Sequence, residues 1–310
     1  MNPNPASAIE VRELTRRYGT LTALDGVSFE VGRGELFGLI GPDGAGKTTL
    51  FRLLTTLIVP DRGTAQVDGW DIRADYRRIR QCVGYMPGRF SLYPDLTVEE
   101  NLSFFAALFG VSVQDNYELI APIYRQIEPF RTRRAGQLSG GMKQKLALCC
   151  ALVHRPRVLF LDEPTTGVDA VSRSEFWDML ARLREMGISM LVSTPYMDEA
   201  GRCDRVALIN AGRILEINTP QGVVEGFDEP LYALSGEDVF GLLQAARSYP
   251  GGAQGVSFRR GASFGRGAGF RSAGLCCLSA RRRLRGSFAL SGGSGDRGCI
   301  HKTDGKCVTR

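Results

Sequence analysis

The chain has 310 residues, 43% of them hydrophobic and 23% charged, which is enough for one large α/β domain and an appendage of ordinary globular composition. Its net charge of +6 is unevenly distributed, because residues 247–310 carry 11 Arg and 2 Lys against 2 Asp and leave residues 1–246 at −5. The acidic body gives no reason to expect nucleic-acid binding, no apolar run is long enough to span a bilayer, and the first residues lack the pattern of a secretory signal.

The first predicted elements are antiparallel strands. Residues 8–35 alternate apolar and polar side chains, which predicts short strands joined by turns at Gly19 and at Gly32–Gly34. Tyr18 ends the first of these strands. Its ring is suited either to stacking on a purine base or to packing as a half-buried strand residue, and both interpretations stay open at this point.

A glycine-rich loop follows the apolar run at residues 35–40 and precedes a helical pattern at residues 50–54. It fits G-x-x-x-x-G-K-[ST], and its strand-loop-helix context makes the match specific. Glycines let consecutive backbone N–H groups turn around phosphate oxygens, while Lys47 neutralises terminal phosphates and the Thr48 hydroxyl ligates Mg²⁺. The loop predicts binding of a nucleoside triphosphate, and it consists of Gly41, Pro42, Asp43, Gly44, Ala45, Gly46, Lys47, Thr48 and Thr49.

Residues 95–155 change to helical patterns. The first begins with a capping box formed by Thr97 and Glu100, and further patterns cover residues 115–129 and 141–153. Directly before the last of these, Ser139, Gly140 and Gly141 form a turn that leads into the helix. Such a turn is either a plain helix cap or a second anion site at a helix N-terminus.

The run at residues 157–161 is continuously apolar after Arg157 and is followed by Asp162 and Glu163, a pattern typical of a buried parallel strand. Ligands gather at the carboxyl ends of such strands. Asp162 is placed to hold Mg²⁺ opposite Thr48, and Glu163 to polarise a water for in-line attack on a γ-phosphate. The alternative is that two acids simply cap the following turn. Beyond them, a helix is predicted at residues 172–186, a buried strand at 188–193 and two strands within 206–217.

Five motifs resemble, in order and spacing, the ATP-binding subunit of an ABC transporter: Tyr18, the loop at 41–49, LSGGMKQK at 138–145, VLFLDEP at 158–164 and TTGVD at 165–169. The likeness covers residues 8 to about 225 and is strongest to the exporter branch that serves drug, lipid or polysaccharide efflux with separate membrane subunits. It implies an α/β fold with a P-loop NTPase core, whose mixed or parallel sheet has flanking helices. An N-terminal antiparallel β subdomain and an inserted α-helical subdomain at about residues 90–155 would complete a cassette at 1–227.

The resemblance also implies a role for each matching position. Tyr18 would stack on adenine, and residues 41–49 would hold the phosphates of ATP. Thr48 and Asp162 would bind Mg²⁺, with Glu163 as the catalytic residue that holds the attacking water. Ser139, Gly140 and Gly141 would contact ATP held by a second cassette, and Asp169 would communicate across that dimer.

Two positions depart from the family pattern at the γ-phosphate. Relatives carry Gln where this chain has Gly88, and His where it has Pro195. Gly88 offers no side-chain ligand, and Pro195 has no donor for the γ-phosphate, although proline suits the first turn of a following helix capped by Thr194. We therefore expect ATP binding with impaired hydrolysis, as in a degenerate cassette resembling the first half of a two-cassette member.

The resemblance implies two partners, a second cassette as homo- or heterodimer and a polytopic membrane permease, with no nucleic acid expected on the cassette. The eight cysteines form no C-x-x-C pair, which indicates a reducing, cytoplasmic compartment. The resemblance implies that the protein is peripheral on the inner face of the cell membrane. A nucleotide-gated regulatory cassette without productive ATPase activity is the alternative function. A ribosome- or RNA-directed cassette, suggested by the basic tail, is a third.

The tail departs from the rest of the chain. Residues 228–250 resemble the start of a small accessory domain, with a strand and then a helix. Residues 251–310 are rich in Gly and Arg and show no sustained period, which predicts disorder. Three interpretations stay open: a basic segment that binds RNA or anionic lipid, a Cys-rich metal module, and translation of coding DNA in a shifted frame.

Overall fold

The structure is a computed structural model that describes residues 7–89, 91–225, 231–236, 252–259, 274–280, 289–291 and 297–302. Two compact units divide the chain, Met1–Val223 and Val224–Arg310. Strands of the first 225 residues are β1 (Ser7–Tyr18), β2 (Leu21–Gly32), β3 (Leu36–Ile40), β4 (Arg62–Val67), β5 (Trp70–Asp71), β6 (Val83–Met86), β7 (Val158–Asp162), β8 (Ser189–Thr194), β9 (Arg205–Asn210) and β10 (Arg213–Asn218). Helices there are α1 (Lys47–Leu54), α2 (Tyr76–Cys82), α3 (Val98–Leu108), α4 (Tyr117–Tyr124), α5 (Gly140–Leu152), α6 (Ala170–Glu185), α7 (Met197–Ala200) and α8 (Pro220–Glu225).

An antiparallel sheet of four strands, in the order β2-β1-β4-β5, confirms the predicted N-terminal β subdomain. Apolar side chains of β1 and β2 point inward at alternating positions and pack around Phe37 and Phe51 of the neighbouring elements. A register shift between Val11 and Leu14 accompanies the left-handed backbone of Glu13, with φ of 49°. The alternation that the sequence shows is therefore that of a sheet with one covered face.

The central sheet has six strands in the order β10-β9-β3-β8-β7-β6, and all of them are parallel except β10. Every residue of β3, β7 and β8 is buried, as expected for parallel strands covered on both faces. The register pairs Ile40 with Thr194 and Asp162 with Ser193. Because parallel strands end together, the segments that follow β3, β6, β7 and β8 meet at one edge of this sheet.

Helices α3, α4 and α5 lie within the region predicted to be helical and pack on one another through the larger apolar core. The capping box of α3 is present, because the backbone N–H of Glu100 donates to Thr97 Oγ1 and that of Thr97 to Glu100 Oε2. The pattern predicted over 115–129 is shorter than expected, since α4 ends at Tyr124 and a turn of 3₁₀-helix follows at Glu128–Phe130. Pro122 removes one backbone donor just before that end.

The second unit contains a five-stranded antiparallel sheet in the order β12-β13-β11-β15-β14. Four of these strands lie within residues 251–310, the segment for which the sequence predicted disorder. Short apolar or β-branched stretches between glycines have enough strand propensity for such pairing. The predicted helix at 238–246 lies outside the described residues. These strands are β11 (Leu231–Gly236), β12 (Gly252–Arg259), β13 (Gly274–Ala280), β14 (Ala289–Ser291) and β15 (Arg297–Lys302).

Within the residues that the structure describes, we find no helix with the length and apolar composition that a bilayer crossing requires.

Candidate functional site

The glycine-rich loop leaves β3 at the carboxyl edge of the central sheet and enters α1 at Lys47. Gly44 and Gly46 adopt left-handed backbone conformations, with φ of 79° and 105°. A Cβ on Gly41 or Gly46 would collide with a backbone carbonyl, of Ile209 and Ala23 respectively. Glycine is therefore required at both positions, and the loop has the backbone freedom and the helix N-terminus that phosphate binding needs.

Lys47 is buried at the base of this loop, although it carries a charge. Its Nζ donates to the carbonyl oxygens of Gly41 at 2.8 Å and Pro42 at 3.0 Å. It also lies 3.1 Å from Glu163 Oε1 and 3.9 Å from the exposed Asp43 carboxylate. The lysine thus joins the loop after β3 to the acid after β7, two segments more than 100 residues apart in sequence.

Asp162 ends β7 with a buried carboxylate that accepts hydrogen bonds from two hydroxyl groups. Ser193 Oγ donates to its Oδ1 at 2.7 Å, and the Thr48 side chain also bonds to this carboxylate. Burial raises the pKa of Asp162, while both hydrogen bonds and Lys47 oppose that rise. The hydroxyl and the carboxylate are hard oxygen donors placed side by side, which is the ligand set that Mg²⁺ prefers.

Glu163 follows with an unusual backbone. Its φ of 50° lies in the left-handed region, which is uncommon for a residue with a Cβ and which marks functional sites when the surroundings hold it in place. The backbone N–H donates to Ser193 Oγ at 2.9 Å and to Ser193 O at 3.2 Å. On the side chain, Oε2 accepts from Thr166 Oγ1 at 3.3 Å. This conformation turns the carboxylate toward Lys47.

Gly88 and Pro195, the two departures from the family pattern, lie at the same edge. A Cβ on Gly88 would stand 2.9 Å from the carbonyl oxygen of Asp162 and 3.7 Å from Glu163 Cβ. Pro195 directly follows β8, where Thr194 Oγ1 accepts from the backbone N–H of Tyr196. The suggestion that Pro195 occupies the first helical turn with Thr194 as cap is wrong, because α7 begins at Met197 with Tyr196 as its N-cap.

Tyr18 lies at the exposed end of β1, with 41% of its surface accessible. The guanidinium carbon of Arg16 stands 5.0 Å from the centre of its ring, and Arg16 in turn donates to Asp61. Arg16 Nη1 also donates to the carbonyl oxygen of Val59 at 3.1 Å, and these two hydrogen bonds hold the cation on one face of the tyrosine ring.

The Ser-Gly-Gly turn lies elsewhere in the unit. Ser139 caps α5 by accepting from the backbone N–H of Met142, and Asp169 caps α6 by accepting from those of Val171 and Ser172. The two helix starts touch, since a Cβ on Gly141 would stand 2.7 Å from Ser172 Oγ and one on Gly140 3.5 Å from Gly167 O. Among the described residues, no hydrogen bond or ion pair joins this turn to residues 41–49 of the same chain.

Sequence reasoning missed three residues that support the site. Ser193 contacts both acids after β7. Glu199, buried in α7, accepts from Thr165 Oγ1 at 2.7 Å and from Thr194 Oγ1 at 2.5 Å, which ties the segment after β7 to the end of β8. Asn101 contacts Tyr93, Leu96 and Thr97 in the segment between Gly88 and α3. Of these three residues, only Ser193 had a feature in the sequence that could have indicated its role, namely a hydroxyl group at the end of an apolar predicted strand.

Residues 24–166 match the family model described as ABC transporter. The chain is 43% identical over 216 residues to the probable multidrug ABC transporter ATP-binding protein YbhF of Escherichia coli (strain K12), which covers 69% of this chain. The match spans only 37% of the length of that relative. This chain is also 41% identical over 224 residues to the Nod factor export ATP-binding protein I of Burkholderia lata, and this match covers 71% of this chain and 74% of that protein.

Solved structures show the same fold. The cbiO1 protein of Clostridium perfringens, part of the ABC transporter complex cbiONQ, superposes with a TM-score of 0.65 at 27% identity over 72% of this chain and 92% of its own. An ATP-binding subunit of an ABC transporter gives 0.65 at 29% identity, over 71% and 93%. With the phosphate loop, the paired acids and the capped Ser-Gly-Gly helix in the expected order, the chain belongs to the ATP-binding cassette family of ABC transporters.

Proposed function

We propose that this chain binds ATP with Mg²⁺ and closes on a second cassette to drive a membrane permease. The observation that carries the proposal is the contact between Lys47 Nζ and Glu163 Oε1 at 3.1 Å, because it brings the phosphate loop and the acids after β7 into one site. Lysine at a phosphate loop and a carboxylate at the end of the adjacent buried strand are the parts that phosphoryl transfer uses.

Each residue of the proposed site has a distinct role in binding or hydrolysing ATP. The backbone N–H groups at the start of α1 and the Lys47 ammonium bind the phosphates, which displace the Glu163 carboxylate from Lys47. Thr48 and Asp162 supply oxygen ligands for Mg²⁺, which neutralises phosphate charge when bound. Glu163 then orients the attacking water, and the exposed ring of Tyr18 stacks on adenine.

A second cassette completes this site. Ser139, Gly140 and Gly141 form a capped helix N-terminus that, among the described residues, makes no hydrogen bond or ion pair to residues 41–49 of its own chain, and we infer that it meets the γ-phosphate on another subunit. Asp169 caps the helix beside this turn and belongs to the same contact face. The partner is a second copy of this chain or a related cassette.

The membrane partner is inferred from the relatives, one of which is named for a multidrug ABC transporter and another for Nod factor export. An apolar groove of about 420 Å³ between β6, α3 and α5 offers a surface for it, and Leu57 and Leu108 at this groove are 55% and 66% exposed. Exposed leucines beside an apolar groove are typical of a protein interface. We place the chain in the cytoplasm, at the inner face of the cell membrane.

Hydrolysis at this site is impaired. Gly88 carries no amide for the water or for Mg²⁺, and Pro195 carries no donor for the γ-phosphate. Losing such positioning and charge-stabilising contacts costs about 100-fold or more in rate. The same two residues favour the second candidate function, a nucleotide-gated regulatory cassette that closes on ATP without productive turnover.

A steady-state ATPase assay of the chain, alongside ATP affinity, tests these statements. We expect micromolar to millimolar ATP affinity with turnover far below 1 s⁻¹, and the double replacement of Gly88 by Gln and Pro195 by His should raise turnover by about tenfold or more. Gly88→Ala combined with Pro195→His is the matched control, because it places the same Cβ 2.9 Å from the carbonyl oxygen of Asp162, with the same steric conflict, but lacks the amide. Turnover of the unmodified chain at about 1 s⁻¹ or faster, abolished by Glu163→Gln, would contradict impaired hydrolysis.

A further inference from the structure

One hydroxyl group contacts both acids of the site. Ser193 is fully buried near the end of β8, the strand that lies between β3 and β7 in the central sheet. Its O–H donates to Asp162 Oδ1 at 2.7 Å, and its oxygen accepts from the backbone N–H of Glu163 at 2.9 Å. A serine hydroxyl has one donor and two acceptor positions, so it can serve these two bonds at once.

These two bonds act on different features of the site. The bond to Asp162 fixes which way one carboxylate oxygen faces, and the Thr48 side chain bonds to the same carboxylate. The backbone N–H of Glu163 is shared between Ser193 Oγ at 2.9 Å and the main-chain Ser193 O at 3.2 Å, and the two contacts together hold the left-handed Glu163 against β8. One group therefore couples the orientation of the proposed metal ligand to that of the proposed catalytic acid.

We propose that Ser193 is the positioning residue of this site, which orients Asp162 for Mg²⁺ and Glu163 for the attacking water. The inference rests on the proposed function. Outer groups that hydrogen-bond to metal ligands typically change metal affinity or activity by about 10- to 100-fold when removed. Ser193 touches neither nucleotide nor metal by this account and acts only through the two acids.

The same strand supplies a matched control. Ser189, at the start of β8, is also buried, and its hydroxyl oxygen accepts from the backbone N–H of Gly34 at 2.9 Å. Ser189→Ala removes a buried hydroxyl from β8 without touching either acid. Any effect that is general to losing a hydroxyl in this strand should appear in both variants, whereas a positioning effect should appear only at Ser193.

The test measures Mg²⁺ dependence of binding instead of turnover. A fluorescent ATP analogue is titrated in EDTA, and Mg²⁺ is then titrated against a fixed analogue concentration. For Ser193→Ala we expect unchanged affinity in EDTA, and a half-saturating Mg²⁺ concentration about tenfold higher than for the unmodified chain. Ser193→Thr keeps the hydroxyl and should restore the unmodified value, and Ser189→Ala should stay within about twofold of it. Thermal unfolding of each variant is recorded in parallel.

Each outcome decides the inference. An unshifted Mg²⁺ requirement in folded Ser193→Ala, an equal shift in Ser189→Ala, or a folded Ser193→Thr that behaves like the alanine variant would each overturn it while leaving the proposed function intact. A chain that binds no analogue in its unmodified form would overturn both.

Discussion

At the residue scale, Lys47 shows how a buried cation is held at the proposed phosphate site. The side chain of Lys47 is 3% exposed, and its ammonium group contacts two loop carbonyls and the Glu163 carboxylate. A buried charge needs such partners, since an unpaired ammonium in this environment would be costly. The acid that we propose orients the water is therefore also the group that compensates the charge of Lys47.

Replacement of Glu163 by Gln should tighten binding of ATP by about two- to fivefold, because it removes a partly exposed ion pair that competes with phosphate for Lys47. Isothermal titration with ATP in EDTA measures this without hydrolysis. Asp43→Asn is the control, because its carboxylate is 91% exposed and 3.9 Å from Lys47, and its removal should change affinity little. Equal or weaker binding by Glu163→Gln would contradict a competition for the lysine.

The sequence alone predicts the residues of the proposed site where they form a recognisable motif. The loop at 41–49 and the pair Asp162 and Glu163 are consecutive in sequence, and their chemistry follows from residue type. The contacts of Ser193 were not readable, because they depend on the register that sets Asp162 beside Ser193 in adjacent strands. Sheet register joins residues about 30 apart through packing that no local pattern records.

At the element scale, α5 and α6 begin side by side with different caps. Ser139 is neutral, whereas Asp169 carries a carboxylate whose pKa is lowered by hydrogen bonds from Ser172 and other backbone groups of its helix start. The positive end of α6 is thus offset by its own cap, while that of α5 is not. This difference favours α5 as the helix that receives an anion.

Ser139→Asp tests that role of α5. Aspartate is as good an N-cap as serine, so the helix and the melting temperature should change little. Its charge should repel a γ-phosphate presented by a second cassette, and ATP-induced dimerisation should fall by about tenfold or more. Analytical ultracentrifugation with Glu163→Gln as background measures dimerisation. Ser139→Asn is the uncharged control, and equal dimerisation by both variants would show that α5 does not meet an anion.

Element boundaries followed from the sequence only where local chemistry sets them. The capping box at Thr97 and Glu100 marked the start of α3 correctly. The end of α4 was missed by five residues, because the apolar pattern continues through Ile127 although Pro122 weakens the helix. Ile127 is buried but lies outside the helix, so its apolar side chain extended the predicted helix beyond its actual end.

At the scale of the whole molecule, the first unit holds every residue of the proposed site. Its two apolar cores are built from residues up to Ile209, with partly buried side chains packed against them as far as Val223. Burial on this scale is ample for a unit of more than 200 residues to fold without assistance from another domain. The change in composition that the sequence shows lies further along the chain, beyond residue 246. A strand was predicted within residues 228–250, where β11 lies, whereas β12 to β15 had no signal in the sequence.

A fragment of residues 1–227 should therefore fold cooperatively and bind ATP with the affinity of the full chain to within about twofold, because the site lies wholly inside it. Circular dichroism during thermal unfolding and titration with an ATP analogue check both statements. Comparison with the full chain at the same ionic strength is essential, since the net charge of +11 on residues 247–310 attracts anions nonspecifically. Loss of binding in a folded fragment would contradict a self-contained cassette.

The unequal caps of α5 and α6 have a consequence for assembly. A triphosphate approaching the paired helix starts meets an accepting N-terminus on one side and a carboxylate on the other, so only one approach is favourable. The surface formed by the starts of α5 and α6 would therefore accept a phosphate at α5 and repel one at α6. Two cassettes that meet in the other relative orientation would place the Asp169 carboxylate beside a phosphate. Because the two charges repel, we expect such encounters to dissociate quickly. The bound nucleotide would then select the relative orientation in which the subunits dock.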